Sequence, residues 1–308
     1  MGTAEPGVIA GRSLAASRYA AARRRWSPGG YLLLAPALLL FLGFFVVPLG
    51  VVALVSVLTG NPVNDPDVRF TAQNYARLLS DSFYLDVLLV TLRVGLWTTL
   101  ASLLVGYPLA WQLARMKSKT LRTLLLVAVL SPMLVGVVVR TYAWMTLLSD
   151  QGVINTILKS LGLTSQPFRL MYNEFGIVVA LVHIYTPFMV LTLTGVIGKI
   201  DPRWEESARN LGASKLRAFR EVTLPLSLPG IVAGSLLVFA LSISAYVTPI
   251  LMGGFSIITL PILIYQQVSG VFNFGFAGAL GLILLLVSLA IVLAYHRAMA
   301  RVARGVGV

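Results

Sequence analysis

The chain has 308 residues, of which 57% are hydrophobic and only 11% are charged, and its mean hydropathy is +0.87. Soluble domains are usually about 25% charged, so this composition excludes an ordinary soluble protein and indicates an integral membrane protein. The sequence has no cysteine, which excludes disulfides, thiolate metal ligands and a cysteine nucleophile.

Six apolar stretches are predicted to cross the membrane, which takes about 20 residues of helix. Four of them cover residues 31–58, 94–114 with an extension back toward 87, 123–148 and 175–198. Two more are predicted within 222–296, divided by a connecting loop at 252–275 that contains Gly, Gln and Asn. The alternative is five spans, with one of the shorter stretches lying at the interface. The sequence therefore predicts an all-α integral membrane protein.

Basic residues fall on one side of these spans. The N-terminal tail, the loops after the second and fourth spans and the C-terminal tail hold five, four, six and three of them, which is 18 of the 24 Lys and Arg residues. Cytoplasmic segments carry such an excess, so both termini are predicted to be cytoplasmic. This bias explains the net charge of +13, and a nucleic-acid partner is not predicted.

Four parts are predicted along the chain. Residues 1–30 form a basic cytoplasmic tail without fixed structure, in reach of anionic membrane lipid. Residues 31–85 form the first span and an external loop, 86–297 form a core of five spans, and 298–308 form a cytoplasmic tail.

A compact charged segment, residues 205–230, separates the fourth and fifth spans. Asp201 and Pro202 are typical of a helix start, and Gly212 suits the left-handed residue that follows a helix. Between them one apolar face is predicted, formed at helical spacing by Trp204, Ala208 and Leu211.

A second short helix is predicted after Ser214, which can cap it. Its apolar face is formed by Leu216 and Phe219 or Val222. The dipeptides Leu224-Pro225 and Pro229-Gly230 are predicted to end this helix before the fifth span. Two interpretations of the whole segment stay open at this point: an interfacial helix that anchors the loop, or a docking element for a cytoplasmic partner.

The spacing within this segment resembles a known motif. Residues 206–208 read Glu-Ser-Ala, and they are followed after three residues by Gly212 and after nine more by Val222, Leu224 and Pro225. This resembles the EAA motif of binding-protein-dependent ABC transporter permeases, with Ser and Val in place of Ala and Ile. The resemblance extends over about residues 86–297 and implies the type I importer fold with a cytoplasmic coupling helix in the loop 199–230. Shorter segments at 140–144, 152–155, 245–249 and 253–254 resemble the spermidine/putrescine-type branch.

The resemblance also implies partners. A cytoplasmic ABC ATPase dimer would receive the coupling helix and would bind the ATP and Mg²⁺, since this chain is expected to bind no cofactor. A second permease subunit, similar or identical, and an extracytoplasmic solute-binding protein would complete the importer in the bacterial cytoplasmic membrane. The residues that are expected to couple the chain to the ATPase are Glu205, Glu206, Ala208, Gly212, Ala213, Phe219, Leu224 and Pro225.

Polar and aromatic residues inside the spans are the candidates for a solute pathway. They are Arg93, Arg140, Tyr142, Trp144, Tyr185, Ser242, Tyr246 and Thr248. The alternatives are that both arginines snorkel outward and that Tyr142 and Trp144 belong to an aromatic belt. A polyamine is the predicted solute, although carboxylates or aromatic faces would suit a polycation and no Asp or Glu lies deep in a span. An amino acid, a carboxylate or another anion is the alternative.

Two other classes of protein fit the sequence less well. An ion-coupled secondary transporter predicts intramembrane carboxylates and an internal repeat, and a membrane enzyme predicts a catalytic cluster; the sequence shows none of these. The nearest approach to a phosphate-binding loop, residues 195–200, has the wrong spacing and no Ser or Thr for Mg²⁺. His183 lies within a span and is assigned to packing. The chain is therefore predicted not to be an enzyme.

Overall fold

A computed structural model of the protein describes residues 28–59 and 67–305. Most of the predicted N-terminal tail and residues 306–308 of the predicted C-terminal tail lie outside this part. The helices are α1 (Pro28–Phe41), α2 (Val47–Ser56), α3 (Gln73–Ser80), α4 (Ser82–Arg115), α5 (Lys119–Leu130), α6 (Val137–Leu148), α7 (Val153–Ser160), α8 (Glu174–Ile197), α9 (Arg203–Asn210), α10 (Lys215–Ala218), α11 (Leu224–Ile243), α12 (Val247–Gly253), α13 (Leu260–Gln266) and α14 (Phe274–Gly305).

Five helical runs in the described part are long and apolar enough to cross a membrane. They are Leu34–Ser56, Ser82–Arg115, Glu174–Ile197, Lys215–Ile243 and Phe274–Arg297. A sixth run meets the same criterion only as a bent pair, Lys119–Leu134 and Val137–Ser160. The prediction of an all-helical membrane protein is confirmed, with six spans when the bent pair counts as one.

The chain divides into two compact units after Leu54. The first unit holds α1, a π-helical turn at Leu42–Val46 and most of α2, all strongly apolar. The second unit, from Val55 onward, holds the other helices and all the candidate site residues.

The predicted span at 123–148 is a bent pair of helices rather than one continuous helix, because the chain bends by 99° between α5 and α6. Pro132 follows α5 in a 3-10 turn, Ser131–Leu134, and a proline cannot donate the hydrogen bond that would continue an α-helix. Val135 is then extended, with φ −95° and ψ 135°, and helical geometry resumes only after Gly136. The residues of α6 therefore form a short helix that lies across the direction of α5.

The predicted stop at Pro225 and Pro229 is wrong. One helical run extends from Lys215 to Ile243, and a π-helical turn at Phe219–Thr223 joins α10 to α11. In a regular α-helix the ring of Pro225 would collide with the carbonyl of Glu221, and the wider π turn removes that collision. The segment after Gly212 is consequently one stiff extension of a membrane helix.

The predicted connecting loop at 252–275 is mostly helical in the structure. It contains the end of α12, the whole of α13 and a π-helical turn at Gln267–Val271. The Thr91 hydroxyl oxygen accepts the backbone N–H of Leu260 at 2.8 Å, and Pro261 occupies the first turn of α13. Leu260 and Leu263 are buried, so packing stabilises helix in a region whose composition suggested a loop.

Helices α4, α8 and α11 form the centre of the second unit and share one buried apolar cluster. Glycines allow close approach within it. A Cβ atom at Gly95 would lie 2.5 Å from Ile243 Cγ2, and one at Gly230 would lie 2.9 Å from Val196 Cβ. Two further buried clusters include the first half of α4, one with α3, α13 and α14 and one with α6, α8 and α12.

The contact at Gly230 gives a stability prediction. Gly230→Ala should lower the free energy of unfolding by about 1–3 kcal/mol, because the β-branched Val196 has little freedom to move away from the added methyl. Gly195→Ala is the matched control in α8, where an added Cβ meets nothing within 4 Å. The control should gain up to about 1 kcal/mol from helix propensity. Unfolding of the purified chain by denaturant in detergent measures both, and equal shifts would contradict the close packing.

Candidate functional site

The loop between α8 and α11 has the local structure that its sequence predicts. The Asp201 carboxylate accepts the backbone N–H of Arg203 at 2.9 Å at the start of α9. Gly212 has φ +92°, in the left-handed region that glycine adopts without strain. The Ser214 hydroxyl oxygen accepts the N–H of Arg217 at 3.2 Å and caps α10. The loop is thus a helix, a sharp turn and a second helix.

One carboxylate fastens this loop to two membrane helices. Glu205 Oε1 accepts a hydrogen bond from Arg115 Nη2 at 3.0 Å, at the last residue of α4, and another from the Thr223 hydroxyl just before α11. Arg115 Nη1 also donates to the carbonyl of Ile200 at 3.0 Å. The side chains of Arg115 and Glu205 are only 16% and 23% exposed, so water screens this ion pair weakly.

The predicted apolar face of α9 lies largely on the surface. Trp204 is exposed and Leu211 is 90% exposed, whereas Ala208 is half-buried. The same segment carries four charged residues within α9, which keeps it out of the hydrocarbon region of a membrane. The loop therefore carries exposed Trp and Leu side chains beside these charged residues.

The structure divides the predicted coupling residues into three groups. Glu206 is exposed and Ala213 is half-buried, and both line a depression of about 420 Å³ beside Gly212. Glu205 lies at the anchor described above. Phe219, Leu224 and Pro225 lie in the helical run toward α11, where the Phe219 ring meets the Tyr107 ring edge-on at 5.7 Å.

Sequence reasoning missed the residues that receive this loop. Arg115 was counted only as part of the basic bias, and Thr223 and Tyr107 were not considered. The Tyr107 and Ser227 hydroxyls are 2.8 Å apart and join α4 to α11. Glu205 and Thr223 are 18 positions apart in the chain, and Tyr107 and Ser227 are 120 positions apart. The sequence carries no local signal for either contact.

Some of the predicted pathway residues come together where α6 meets α8 and α12. The Thr141 and Thr248 hydroxyls are 3.0 Å apart and join α6 to α12. The rings of Trp144 and His183 meet edge-on at 5.6 Å, which assigns His183 to packing. Arg140 lies one turn from Trp144, and its Nε and Nη1 atoms are buried with no hydrogen-bond partner among the described residues.

The other pathway candidates differ in exposure. Tyr142 is exposed and Tyr185 is half-buried, with its ring 6.3 Å from Phe188. Tyr246 lies between α11 and α12, with its ring 4.7 Å from that of Tyr265. The candidates Ser242 and Thr248 lie inside the helix packing of this structure. Both are buried, and the Ser242 hydroxyl donates to the Val238 carbonyl at 2.7 Å.

Arg93 has an acidic partner that the sequence did not suggest. Its guanidinium forms an ion pair with Glu174, the first residue of α8, which follows the helix-capping Asn173. The Arg93 side chain is 55% exposed, so this pair adds little stability. Its effect is electrostatic, since one of the two intramembrane arginines has a compensating negative charge.

The ion pair at Glu205 yields a second prediction. Glu205→Gln should lower the free energy of unfolding by about 1–3 kcal/mol, because Arg115 keeps its charge in a weakly solvated position without its carboxylate. The adjacent Glu206→Gln is the matched control and should stay within about 0.5 kcal/mol, as expected for an exposed residue. Denaturant unfolding of both variants in one detergent tests this, and a larger loss for Glu206→Gln would refute the anchor.

These features define a class of protein: a multi-pass membrane protein whose charged loop is fastened to the spanning helices and carries exposed apolar side chains. Comparison with known families agrees. The family described as binding-protein-dependent transport system inner membrane component matches residues 102–307, more than half of the chain. The chain belongs to this family and is a multi-pass inner-membrane permease of an ABC importer.

Named relatives and solved structures support this assignment. The chain is 37% identical over 243 residues to the spermidine/putrescine transport system permease protein PotB of Escherichia coli (strain K12), covering 79% of this chain and 88% of that protein. It is 30% identical over 230 residues to the inner membrane ABC transporter permease protein YdcU of the same organism, covering 70% and 72%. These relatives confirm the resemblance that the EAA motif indicated.

Two solved structures show the same fold. One is a bacterial ABC transporter involved in the import of the acidic polysaccharide alginate, with TM-score 0.69, 21% identity and coverage of 92% of this chain and 99% of that one. The other is a bacterial alginate ABC transporter in complex with a periplasmic protein that carries an alginate pentasaccharide, with TM-score 0.72, 19% identity and coverage of 89% and 94%. The prediction of the type I importer fold is confirmed, and the secondary-transporter and enzyme alternatives are set aside.

Proposed function

We propose that this permease imports a polyamine, using ATP and Mg²⁺ that are bound by a separate cytoplasmic ATPase dimer. A second permease subunit, similar or identical, completes the pathway, and an extracytoplasmic binding protein delivers the solute. Both termini of the chain are cytoplasmic, on the same side as the loop that carries α9. The relatives named for spermidine and putrescine transport support the choice of solute.

The attachment of the loop carries the proposal for coupling. A motion applied to α9 reaches α4 through the Glu205–Arg115 ion pair and reaches α11 through Thr223 and the helical run that begins at Lys215. Because both connections are short and stiff, α9 cannot move by itself. The ATPase cycle would therefore shift two central helices together and switch the bundle between inward- and outward-facing states.

Aromatic rings near the broken helices support a cationic solute. Trp144 lies beside His183, and Tyr246 stacks with Tyr265 at 4.7 Å. Such rings attract ammonium groups through their faces. Glu174 compensates Arg93, which removes one of the two positive charges that would repel a polyamine.

Arg140 favours a second candidate, a solute that carries a carboxylate. Its buried Nε and Nη1 atoms have no acceptor among the described residues. A carboxylate of the solute could accept a charge-assisted hydrogen bond from either of these atoms. Amino acids and small organic acids are the corresponding alternatives to a polyamine.

Docking through α9 is tested with exposed leucines at opposite ends of the bundle. Leu211→Ser should reduce co-purification of the ATPase subunit at least tenfold, because Leu211 is 90% exposed on the proposed contact face. Leu163→Ser is the matched control, since Leu163 is 67% exposed in the segment before α8. Mass spectrometry of the complex in mild detergent measures the yield. If Leu211→Ser retains the ATPase like the control, the contact face is elsewhere.

The solute is tested by uptake into proteoliposomes that contain the complete importer and ATP. Spermidine or putrescine should accumulate, and Arg140→Gln should leave this uptake unchanged or raise it, because removing a cation lowers repulsion. For a carboxylate solute the same variant should reduce uptake about tenfold or more, since a hydrogen bond between charged groups is lost. Accumulation of amino or organic acids without polyamines, together with that loss, would establish the second candidate.

A further inference from the structure

A cavity of about 940 Å³ lies between α4 and the segment from α9 to α11. Its length along α4 runs from Leu100 to Trp111, about 16 Å at 1.5 Å per residue. Leu100 and Leu104 are exposed at its apolar end. The other end of the cavity reaches the loop that carries α9. The cavity is therefore a groove along a membrane helix, and none of the candidate pathway residues of α6 lines it.

The cavity changes from apolar to basic along this length. Leu100, Leu103 and Leu104 form the first part of its α4 wall, whereas Arg209 and Lys215 line the end beside the loop. Glu205 also lines that end, but Arg115 and Thr223 already engage its carboxylate. Arg209 and Lys215 form no ion pair within the part of the chain that the structure describes. Both also line the neighbouring depression with Glu206, but neither forms an ion pair with it in the described part of the chain. The loop end therefore carries basic side chains that are free to meet an anion.

Trp111 provides an independent indication of a ligand. It lines the cavity, and its indole Nε1 is buried with no hydrogen-bond acceptor among the described residues. A buried N–H without an acceptor is unfavourable. An oxygen atom of a molecule in the cavity would satisfy it. That oxygen has to lie near the basic end, because Trp111 is on the last turns of α4.

We propose that this cavity binds an anionic glycerophospholipid of the adjoining leaflet. One acyl chain lies along the leucines of α4, the phosphate lies between Arg209 and Lys215, and a phosphate or ester oxygen accepts the Trp111 N–H. The order of apolar and basic surface matches the order of tail and headgroup in a membrane leaflet. A lipid at this position contacts Phe219 and Leu224, so it fills the space between α4 and the segment proposed to carry the coupling motion.

Fluorescence of a single tryptophan tests the site in the full-length chain. One variant keeps only Trp111, with the other four tryptophans replaced by Phe, and a matched variant keeps only Trp97, which is exposed on the same helix. Each variant is reconstituted in phosphatidylcholine membranes that contain about 10% of a lipid with brominated acyl chains. This brominated lipid is phosphatidylglycerol in one sample and phosphatidylcholine in the other, and its bromine quenches tryptophan fluorescence at contact. Circular dichroism verifies that each variant is folded.

Brominated phosphatidylglycerol should quench Trp111 at least threefold more than brominated phosphatidylcholine does, whereas the two lipids should quench Trp97 equally. The preference at Trp111 should disappear in the double variant Arg209→Gln/Lys215→Gln. It should persist in the control variant Arg217→Gln, because the exposed Arg217 side chain pairs with Glu221 and does not line the cavity.

Three results would overturn the proposal. Equal quenching of Trp111 by both lipids would show an apolar groove without headgroup selectivity. No quenching of Trp111 by either lipid would show that protein, such as a second copy of the chain, fills the cavity. A preference that survives Arg209→Gln/Lys215→Gln would place the headgroup elsewhere.

Discussion

The carboxylate of Glu205 is the point on which the arrangement of the aqueous loop depends. It receives hydrogen bonds from Arg115 at the end of α4 and from Thr223 at the entrance to α11. These donors come from two of the three helices at the centre of the second unit. Removing one partner of a largely buried ion pair is costly in free energy, because the remaining charge is then unpaired and poorly hydrated. The loop therefore has one position relative to these helices rather than a range of positions.

The helix interruptions determine how the rest of the membrane unit is arranged. The bend after α5 turns α6 across the bundle, and the Thr141–Thr248 contact joins it there to α12. The π-helical turn at Phe219–Thr223 has the opposite effect, because it lets the chain pass Pro225 without a break. One span therefore bends at its proline, whereas another continues past its proline because of the π-helical turn. The difference lies in the backbone around each proline, since Val135 is extended whereas Phe219–Thr223 stays helical.

Periodicity and motif spacing were sufficient to predict most of the spans, the helix–turn–helix of the loop and the left-handed turn at Gly212. They were insufficient wherever long-range packing decides the outcome. Leu260 and Leu263 form helix in a region with loop-like composition because they are buried against neighbouring helices. Arg93 and Glu174 are 81 positions apart, and their pairing depends on how α4 and α8 are packed. The EAA motif indicated that the loop carrying α9 is the candidate coupling loop. It could not show that the Glu205 side chain contacts the membrane helices while the Glu206 side chain is exposed.

The exposed side chains of α9 have a consequence for how the transporter is made in the cell. Trp204 and Leu211 are exposed on this loop in the chain by itself, and the ATPase subunit that we propose to bind α9 would cover them. Apolar surface of this kind is what chaperones and proteases recognise in unassembled subunits. Newly inserted copies should therefore be short-lived until the loop is covered. The amount of this permease in the membrane would then follow the supply of the protein that covers α9, rather than its own rate of synthesis.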